Sequence, residues 1–117
     1  MKHVKITVGG SLEDDLAAFA DAWRRSERGE HVSDRSIAFE SWEGLTKVLT
    51  GERLRLLRHL HAHPEPSVSS LARSLGRQYR RVHADVVALE AAGLLARSAS
   101  GLRPTADRVT ADISLQA

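Results

Sequence analysis

The sequence predicts an α+β fold that is mainly α-helical. Four helical patterns follow one another between residues 41 and 91, and a β-hairpin pattern comes after them. Short segments near both ends of the chain alternate apolar and polar residues, which is the period of a half-buried strand. A hydrophobic content of 42% with only 4% aromatic residues favours a core of Leu, Val and Ala. The length of 117 residues fits one domain, or a small domain with an attached arm.

The first 40 residues are predicted to form a strand–helix–strand extension. The segment HVKITVG alternates Val4, Ile6 and Val8 with polar residues, and a glycine pair ends it. Ser11 is placed to cap a helix, and acidic residues fill its first turn, where the helix dipole favours them. The segment RSIAFES is predicted to be a short second strand. The apolar stripe of the helix, which needs cover and is predicted to contact a second copy or a partner, comprises Leu16, Phe19 and Trp23.

Residues 41–117 are predicted to form a second unit, which begins with two helices. Ser41 caps a short helix that reaches about Leu49 and is expected to be anchored by Trp42, Leu45, Val48 and Leu49. Thr50 caps the next helix, which ends before Pro64 because the residue before a proline avoids the helical region. The residues of this second helix that are predicted to share one face are Leu54, Leu57 and Leu60.

A helix pair, a hairpin and a final strand complete this unit. Ser67 caps a third helix, Gly76 makes a turn, and a fourth helix runs from about Gln78 to Ala91. The segments LLARS and LRPT are predicted to form the hairpin, and RVTADISL the final strand. Helices followed by a hairpin are the outline of a winged helix-turn-helix. The first and last strands are expected to pair with each other or with a partner chain, because an isolated strand leaves its backbone groups unpaired.

The net charge of +2 hides an uneven distribution of charged residues. Residues 1–50 hold 7 Lys or Arg against 9 Asp or Glu, a balance of −2. Residues 51–97 hold 8 Arg against 4 acidic residues, a balance of +4. Arginine forms bidentate bonds to phosphate and guanine that lysine cannot match. The positive charge therefore lies where a nucleic acid could use it.

One segment, LARSLGRQYRRVHADVVALEAAGLL, resembles the segment of the MarR/ArsR-type winged-helix regulators that contains the recognition helix and the helix before it. The positions that carry the resemblance are Leu71-Ala72, Leu75-Gly76, Leu89-Glu90 and Gly93-Leu94. The chain is similar also to a bacterial and archaeal group of predicted MarR-related DNA-binding regulators, whose lead-in is matched by Phe39-Glu40-Ser41, Leu45, Lys47 to Thr50, Arg53-Leu54 and Leu56-Leu57. The resemblance implies a winged helix-turn-helix that binds DNA, and some look-alikes serve as antitoxins beside a small toxin gene.

The fourth helix is predicted to enter the major groove of DNA, which accommodates an α-helix. Val82, Val86 and Leu89, at i, i+4 and i+7, would hold it against the core. The predicted base-reading residues are Gln78, Tyr79, Arg80 and His83. The predicted phosphate-binding residues are Ser67, Arg73, Arg77, Arg81, Arg97 and Arg103. Asp85 is expected to pair with Arg77 or with Arg81, or to form an ordinary surface ion pair.

Other chemistries receive little support from the sequence. His59 and His63 share a helix face at the spacing of a metal-binding pair, but no third ligand is in view, and no metal site is predicted. The VGGSL segment lacks the further glycine or lysine of a phosphate-binding loop and is predicted to be a turn. No catalytic or cofactor motif is evident, so neither an enzyme nor a cofactor is expected. The absence of cysteine excludes disulfides and thiol catalysis.

The function that the sequence predicts is sequence-specific binding of double-stranded DNA by a transcriptional regulator, a repressor that acts as a homodimer on a two-fold symmetric operator. The alternative is an antitoxin that binds and neutralises a toxin protein and represses its own operon. No apolar run approaches the roughly 20 residues of a membrane span, and the first residues lack the apolar region of a secretion signal. We therefore expect a cytoplasmic protein without a membrane partner.

Overall fold

The structure, a computed structural model, describes residues 1–9, 24 and 34–115. Most of the predicted helix of residues 11–28 lies outside the described residues. The contact surface predicted on that helix, at Leu16, Phe19 and Trp23, lies outside them as well and stays a prediction. The described chain has an α+β fold, as the sequence predicts.

The order of elements agrees with the sequence prediction. Two strands come first, then a series of helices, then a hairpin and a last strand. The elements are β1 (His3–Val8), β2 (Asp34–Phe39), α1 (Trp42–Val48), α2 (Gly51–Ala62), α3 (Val68–Leu75), α4 (Tyr79–Ala91), β3 (Leu95–Ser98), β4 (Gly101–Pro104) and β5 (Arg108–Ile113).

Hydroxyl side chains begin three of the helices. Ser41, Thr50 and Ser67 adopt extended backbone conformations, and each side-chain oxygen accepts a hydrogen bond from the backbone N–H three residues later. These bonds satisfy donors that have no partner within the helix, which confirms the predicted caps. α4 differs, because Gln78 precedes it without a capping bond from its side chain. The amide group of Gln78 is thus available for other contacts.

The described strands form a parallel sheet and a separate hairpin. β1 lies between β2 and β5 and is parallel to both, whereas β3 and β4 are antiparallel. The pairing of β1 with β5 confirms that the first and last strands meet. β5 is therefore part of the sheet built by the N-terminal residues, and it does not extend the hairpin of residues 95–104.

One hydrophobic core joins the sheet to the helices. The β1 residues Val4, Ile6 and Val8 belong to the same buried cluster as the apolar residues of α2, α3 and α4. In α2 the buried residues are Leu56, Leu57 and Leu60, whereas Leu54 is only partly buried. Leu57 and Leu60 of the predicted face are thus buried, whereas Leu56, which the prediction did not include, is buried more deeply than Leu54. Steps of three and steps of four both fit the leucine pattern, so the sequence did not distinguish these two positions.

Two apolar segments are more exposed than the sequence suggests. Trp42 is 50% exposed at the start of α1, so Leu45 rather than Trp42 anchors that helix. In β5, Val109 and Ile113 are 36% and 44% exposed. Alternation in the sequence predicts which residues of a strand share a face, but whether another element covers that face depends on the tertiary structure.

Candidate nucleic-acid interface

The turn between α3 and α4 depends on Gly76. Its backbone is left-handed, with φ 65° and ψ 33°, a region that side chains with a Cβ disfavour. Its N–H donates to the carbonyl of Arg73 at 3.2 Å, and the N–H of Arg77 donates to the carbonyl of Ala72 at 3.1 Å. These bonds close the end of α3 and direct the chain into α4.

α4 has one buried face and one exposed face. Val82, Val86 and Leu89 are fully buried, as the spacing predicts. Tyr79, Arg80, Arg81 and His83 are exposed, and so is Gln78 just before the helix. Burial of the first set holds the helix in place, so the second set forms a fixed strip at the start of α4 on the protein surface.

The side chains of Tyr79 and His83 are neighbours on this strip. Their rings lie one helical turn apart, with centroids separated by 5.8 Å and planes inclined by 27°. Stacking of this kind restricts both rings. Tyr79 remains 53% exposed, so its ring and hydroxyl still face solvent.

Two shallow grooves meet at Tyr79. The first lies between α3 and α4, and its lining includes Arg73, Arg77, Gln78 and Tyr79. The second lies between the start of α3 and the hairpin, and its lining includes Ser67, Tyr79 and Arg97. The structure thus brings six of the ten predicted DNA-contact residues to one continuous surface, although they come from three parts of the chain.

The hairpin contributes less free charge to this surface than its arginines suggest. Arg97 donates through Nε to Glu90 Oε1 at 2.8 Å, which ties β3 to α4. Arg103 donates to the hydroxyl of Ser100 within the hairpin. Arg97 and Arg103 are nevertheless exposed, and these surface contacts are weak enough to exchange for a phosphate.

Arg77 has an internal partner. Its Nη1 lies 2.8 Å from Asp85 Oδ2, and its side chain is only 23% exposed. The two atoms are not aligned for a hydrogen bond, so their attraction is mainly coulombic. The sequence offered Arg77 or Arg81 as the partner of Asp85, and in the structure Asp85 pairs with Arg77. Arg77 therefore lines the first groove with its charge already paired.

Asp85 also binds Arg53, for which the sequence predicts no contact with α4. Arg53 donates through Nε to Asp85 Oδ1 at 2.9 Å. The same guanidinium donates through Nη1 to the carbonyl oxygens of Lys47 and Val48, at 3.0 and 2.9 Å. Arg53 thus connects the end of α1, the start of α2 and the middle of α4. No local pattern indicates this contact, since Arg53 and Asp85 are far apart in the sequence.

Glu65 joins α3 to the hairpin. Its carboxylate accepts hydrogen bonds from the hydroxyls of Ser70 and Ser74, at 2.8 and 3.1 Å. Its backbone carbonyl accepts from the N–H of Leu102 at 2.8 Å. The Ser70 bond is the largest cause that lowers the pKa of Glu65; partial burial opposes it, and Ser74 and His59 add to the lowering. Glu65 is therefore held as a carboxylate between two elements that line the second groove.

The histidines at the end of α2 lie close to acidic side chains and to one another. His61 Nε2 lies 2.9 Å from Asp107 Oδ1, and His59 Nε2 lies 3.6 Å from Glu65 Oε1. The rings of His59 and His63 are 5.6 Å apart and tilted. Among the residues that the structure describes, no group of three or more His, Cys, Asp or Glu side chains is arranged to hold a metal ion.

The fold and this surface define an α+β protein that exposes the arginine-rich start of one helix beside two grooves. The sequence model of the HVO_A0114 family matches residues 48–111, which is more than half of the chain, and the chain belongs to that family. The matched range contains α2, α3, α4, the hairpin and most of β5. No curated protein and no solved structure matches the chain. No helix within the described residues has the length and apolar character to cross a membrane.

Proposed function

We propose that this protein is a transcriptional regulator that binds double-stranded DNA in a sequence-specific manner and acts as a repressor. In this proposal the fold works as a winged helix-turn-helix, with α3 and α4 as the helix pair and β3–β4 as the wing. α4 enters the major groove, which has the width of an α-helix. Two copies bind the two halves of a symmetric operator.

The observation that carries the proposal is the strip at the start of α4. Arg80 is exposed there between Tyr79 and Arg81, and the valines behind it fix the direction of the helix. An arginine in this position can form a bidentate bond to guanine, and Gln78 can do the same with adenine. Residues at the beginning of a recognition helix are the ones that reach base edges.

The grooves on either side of the strip suit the DNA backbone. Arg73 lines one groove, and Ser67 and Arg97 line the other. Phosphate contacts position a protein on the duplex but carry no sequence information. A sequence-specific DNA-binding protein therefore needs both kinds of contact, and in this proposal α4 contacts the bases while the residues of the two grooves contact the phosphates. The resemblance of residues 71–95 to MarR-type regulators adds support to this division of contacts.

The test is a mobility-shift and site-selection experiment with DNA from upstream of the protein's own gene. Wild-type protein is expected to select a two-fold symmetric site. Arg80→Ala is expected to cost about 1–3 kcal/mol and to relax base preference at one position of each half-site.

Arg58→Ala is the matched control, because Arg58 is exposed on α2 and is not among the residues that line either groove. It removes the same charge and is expected to leave base preference unchanged. Equal base preferences for wild type and Arg80→Ala would rule out Arg80 as a reader. Failure of the wild type to select any site would contradict the proposed function.

A further inference from the structure

β5 is an edge strand of the parallel sheet that the described residues form. β1 pairs with one side of β5, and no strand among the described residues pairs with its other side. The N–H of Arg108 donates to the carbonyl of Lys2, just before β1, at 3.3 Å, and the N–H of Ser114 donates to the carbonyl of Val8 at 3.5 Å. Because backbone groups alternate in direction along a strand, the N–H and C=O groups of residues 109, 111 and 113 point away from β1.

The side chains of these same residues form an apolar row. The register of β5 against β1 places Val109, Ala111 and Ile113 on the sheet face that Val4 and its neighbours bury in the core. All three are nevertheless exposed. An edge strand with an apolar row and no proline is a ready template for pairing with another strand.

We propose that β5 pairs antiparallel with β5 of a second copy of this chain, about a two-fold axis at Ala111. The two three-stranded sheets then become one continuous sheet, and each copy covers the apolar row of the other. This inference builds on the proposed function, which requires a homodimer, and identifies the surface through which the two copies bind. It stands independently of the stripe on the predicted N-terminal helix.

The side chains of β5 favour this register. With Ala111 opposite Ala111 of the second copy, Val109 lies opposite Ile113, and the small alanine occupies the axis. No like charges are directly opposite, and Arg108 is diagonal to Asp112 of the second copy, within reach of a long side chain.

The neighbouring antiparallel registers are worse. A shift in one direction places Asp112 directly opposite Asp112 of the second copy, where like charges destabilise a strand pair. A shift in the other direction places the apolar Ile113 opposite Asp107, which already binds His61 at 2.9 Å. The sequence of β5 thus allows pairing with a second β5 and favours one register of that pairing over its neighbours.

The first test is a proline at the axis. Ala111→Pro removes an N–H that points away from β1 and leaves the bonds to β1 intact. Light scattering over a concentration series is expected to show a dimer for the wild type. For Ala111→Pro we expect a dimer that dissociates at least about tenfold more readily, because two hydrogen bonds across the axis are lost.

Ala38→Pro is the matched control on the opposite edge of the same sheet. The N–H of Gly9 donates to the carbonyl of Phe39 at 3.1 Å, so Phe39 is directed to β1 and the exposed Ala38 to the outer side of β2. This variant is expected to remain a dimer. Circular dichroism confirms that each variant is folded. A monomeric wild type, or equal dimer dissociation in both variants, would overturn the proposal.

The second test uses the absence of cysteine in the chain. Ala111→Cys places one thiol in each copy at a strand pair whose Cα atoms are about 5.5 Å apart, within the range of a disulfide. Mild oxidation is expected to produce a covalent dimer from Ala111→Cys and none from Ala38→Cys, and the reverse pattern would contradict the proposed edge. Neither test contains DNA, so a dimer that selects no operator would refute the function and leave the interface standing.

Discussion

At the scale of single residues, Asp85 shows how a helix that is exposed on one side is held from the other. Its carboxylate is 12% exposed and lies against the guanidinium groups of Arg53 and Arg77. Within the described residues, the side chain of Asp85 pairs with these two arginines and with no residue of the exposed strip. Its effect on any ligand of α4 would be exerted through the position of the helix.

Asp85→Asn keeps the size of the side chain but removes the charge that both arginines face. We expect the free energy of unfolding to fall by about 2–4 kcal/mol, because two partly buried cations lose their nearest counter-charge and Arg77 keeps only Glu52 among the described residues, at 3.6 Å. Urea unfolding measures this change. Arg55→Gln is the control: its ion pair with Glu52 is exposed and is expected to contribute less than about 1 kcal/mol. Equal losses in the two variants would show that the internal network has no special role in stability.

Position 101 is a second place where the fold depends on one residue type, in this case glycine. Its φ is 115°, and a Cβ there would lie far inside van der Waals contact with the carbonyl oxygen of Glu65 and 3.1 Å from Pro66 Cα. The backbone must approach closely because Leu102 donates to the same carbonyl. The bridge between the hairpin and the start of α3 therefore requires glycine.

Gly101→Ala is expected to lower the free energy of unfolding by more than about 1 kcal/mol through strain and displacement of the bridge. Gly51→Ala is the matched control, because a Cβ there meets nothing within 4 Å in the first turn of α2. That variant is expected to stabilise by about 0.5–1 kcal/mol. Thermal unfolding distinguishes the two, and a neutral Gly101→Ala would contradict the close approach.

At the scale of elements, Glu65 couples the stability of the α3–hairpin contact to pH. The folded pKa of Glu65 is lower than its ordinary value of 4.5, so folding favours the carboxylate. The stability that this preference contributes is present above pH 4.5 and is lost as pH falls through the folded pKa.

Wild type is therefore expected to lose stability more steeply than Ser70→Ala as the pH falls below about 4.5, since Ser70 is the largest cause of the lowered pKa. Urea unfolding at a series of pH values measures the difference. The gap between the two proteins should be largest near neutral pH and should narrow in acid. Parallel pH profiles would mean that the Ser70 bond does not favour the carboxylate.

At the scale of the whole molecule, the arrangement of positive charge should determine how salt affects DNA binding. Arg73 is exposed and lines a groove, so under the proposed function Arg73→Ala is expected to weaken binding to all sequences alike. It should also reduce the slope of the logarithm of affinity against the logarithm of salt concentration by about one unit. Arg58→Ala should leave the slope unchanged, and an undiminished slope for Arg73→Ala would remove it from the phosphate contacts.

Much of the element order was predictable because helix caps and apolar periodicity are local features. Ser41, Thr50 and Ser67 begin helices where the sequence places them, and Val82 and Val86 of α4 are buried as their spacing predicts. That burial leaves the strip of Gln78, Tyr79, Arg80, Arg81 and His83 exposed. The base contacts that we propose for the strip depend only on which side chains occupy these exposed positions, and the sequence gives those directly.

The amino-acid sequence by itself determined where the helices begin, which face of α4 is apolar and where the arginines concentrate. The tertiary structure decided the rest: that Arg77 is paired while Arg80 is exposed, that Arg53 reaches Asp85, and that β5 runs parallel to β1 at the edge of the described sheet. The physical reason is distance along the chain. Caps and periodicity arise from neighbours within a few residues, whereas ion pairs and strand pairs depend on which remote segments the packed core brings together.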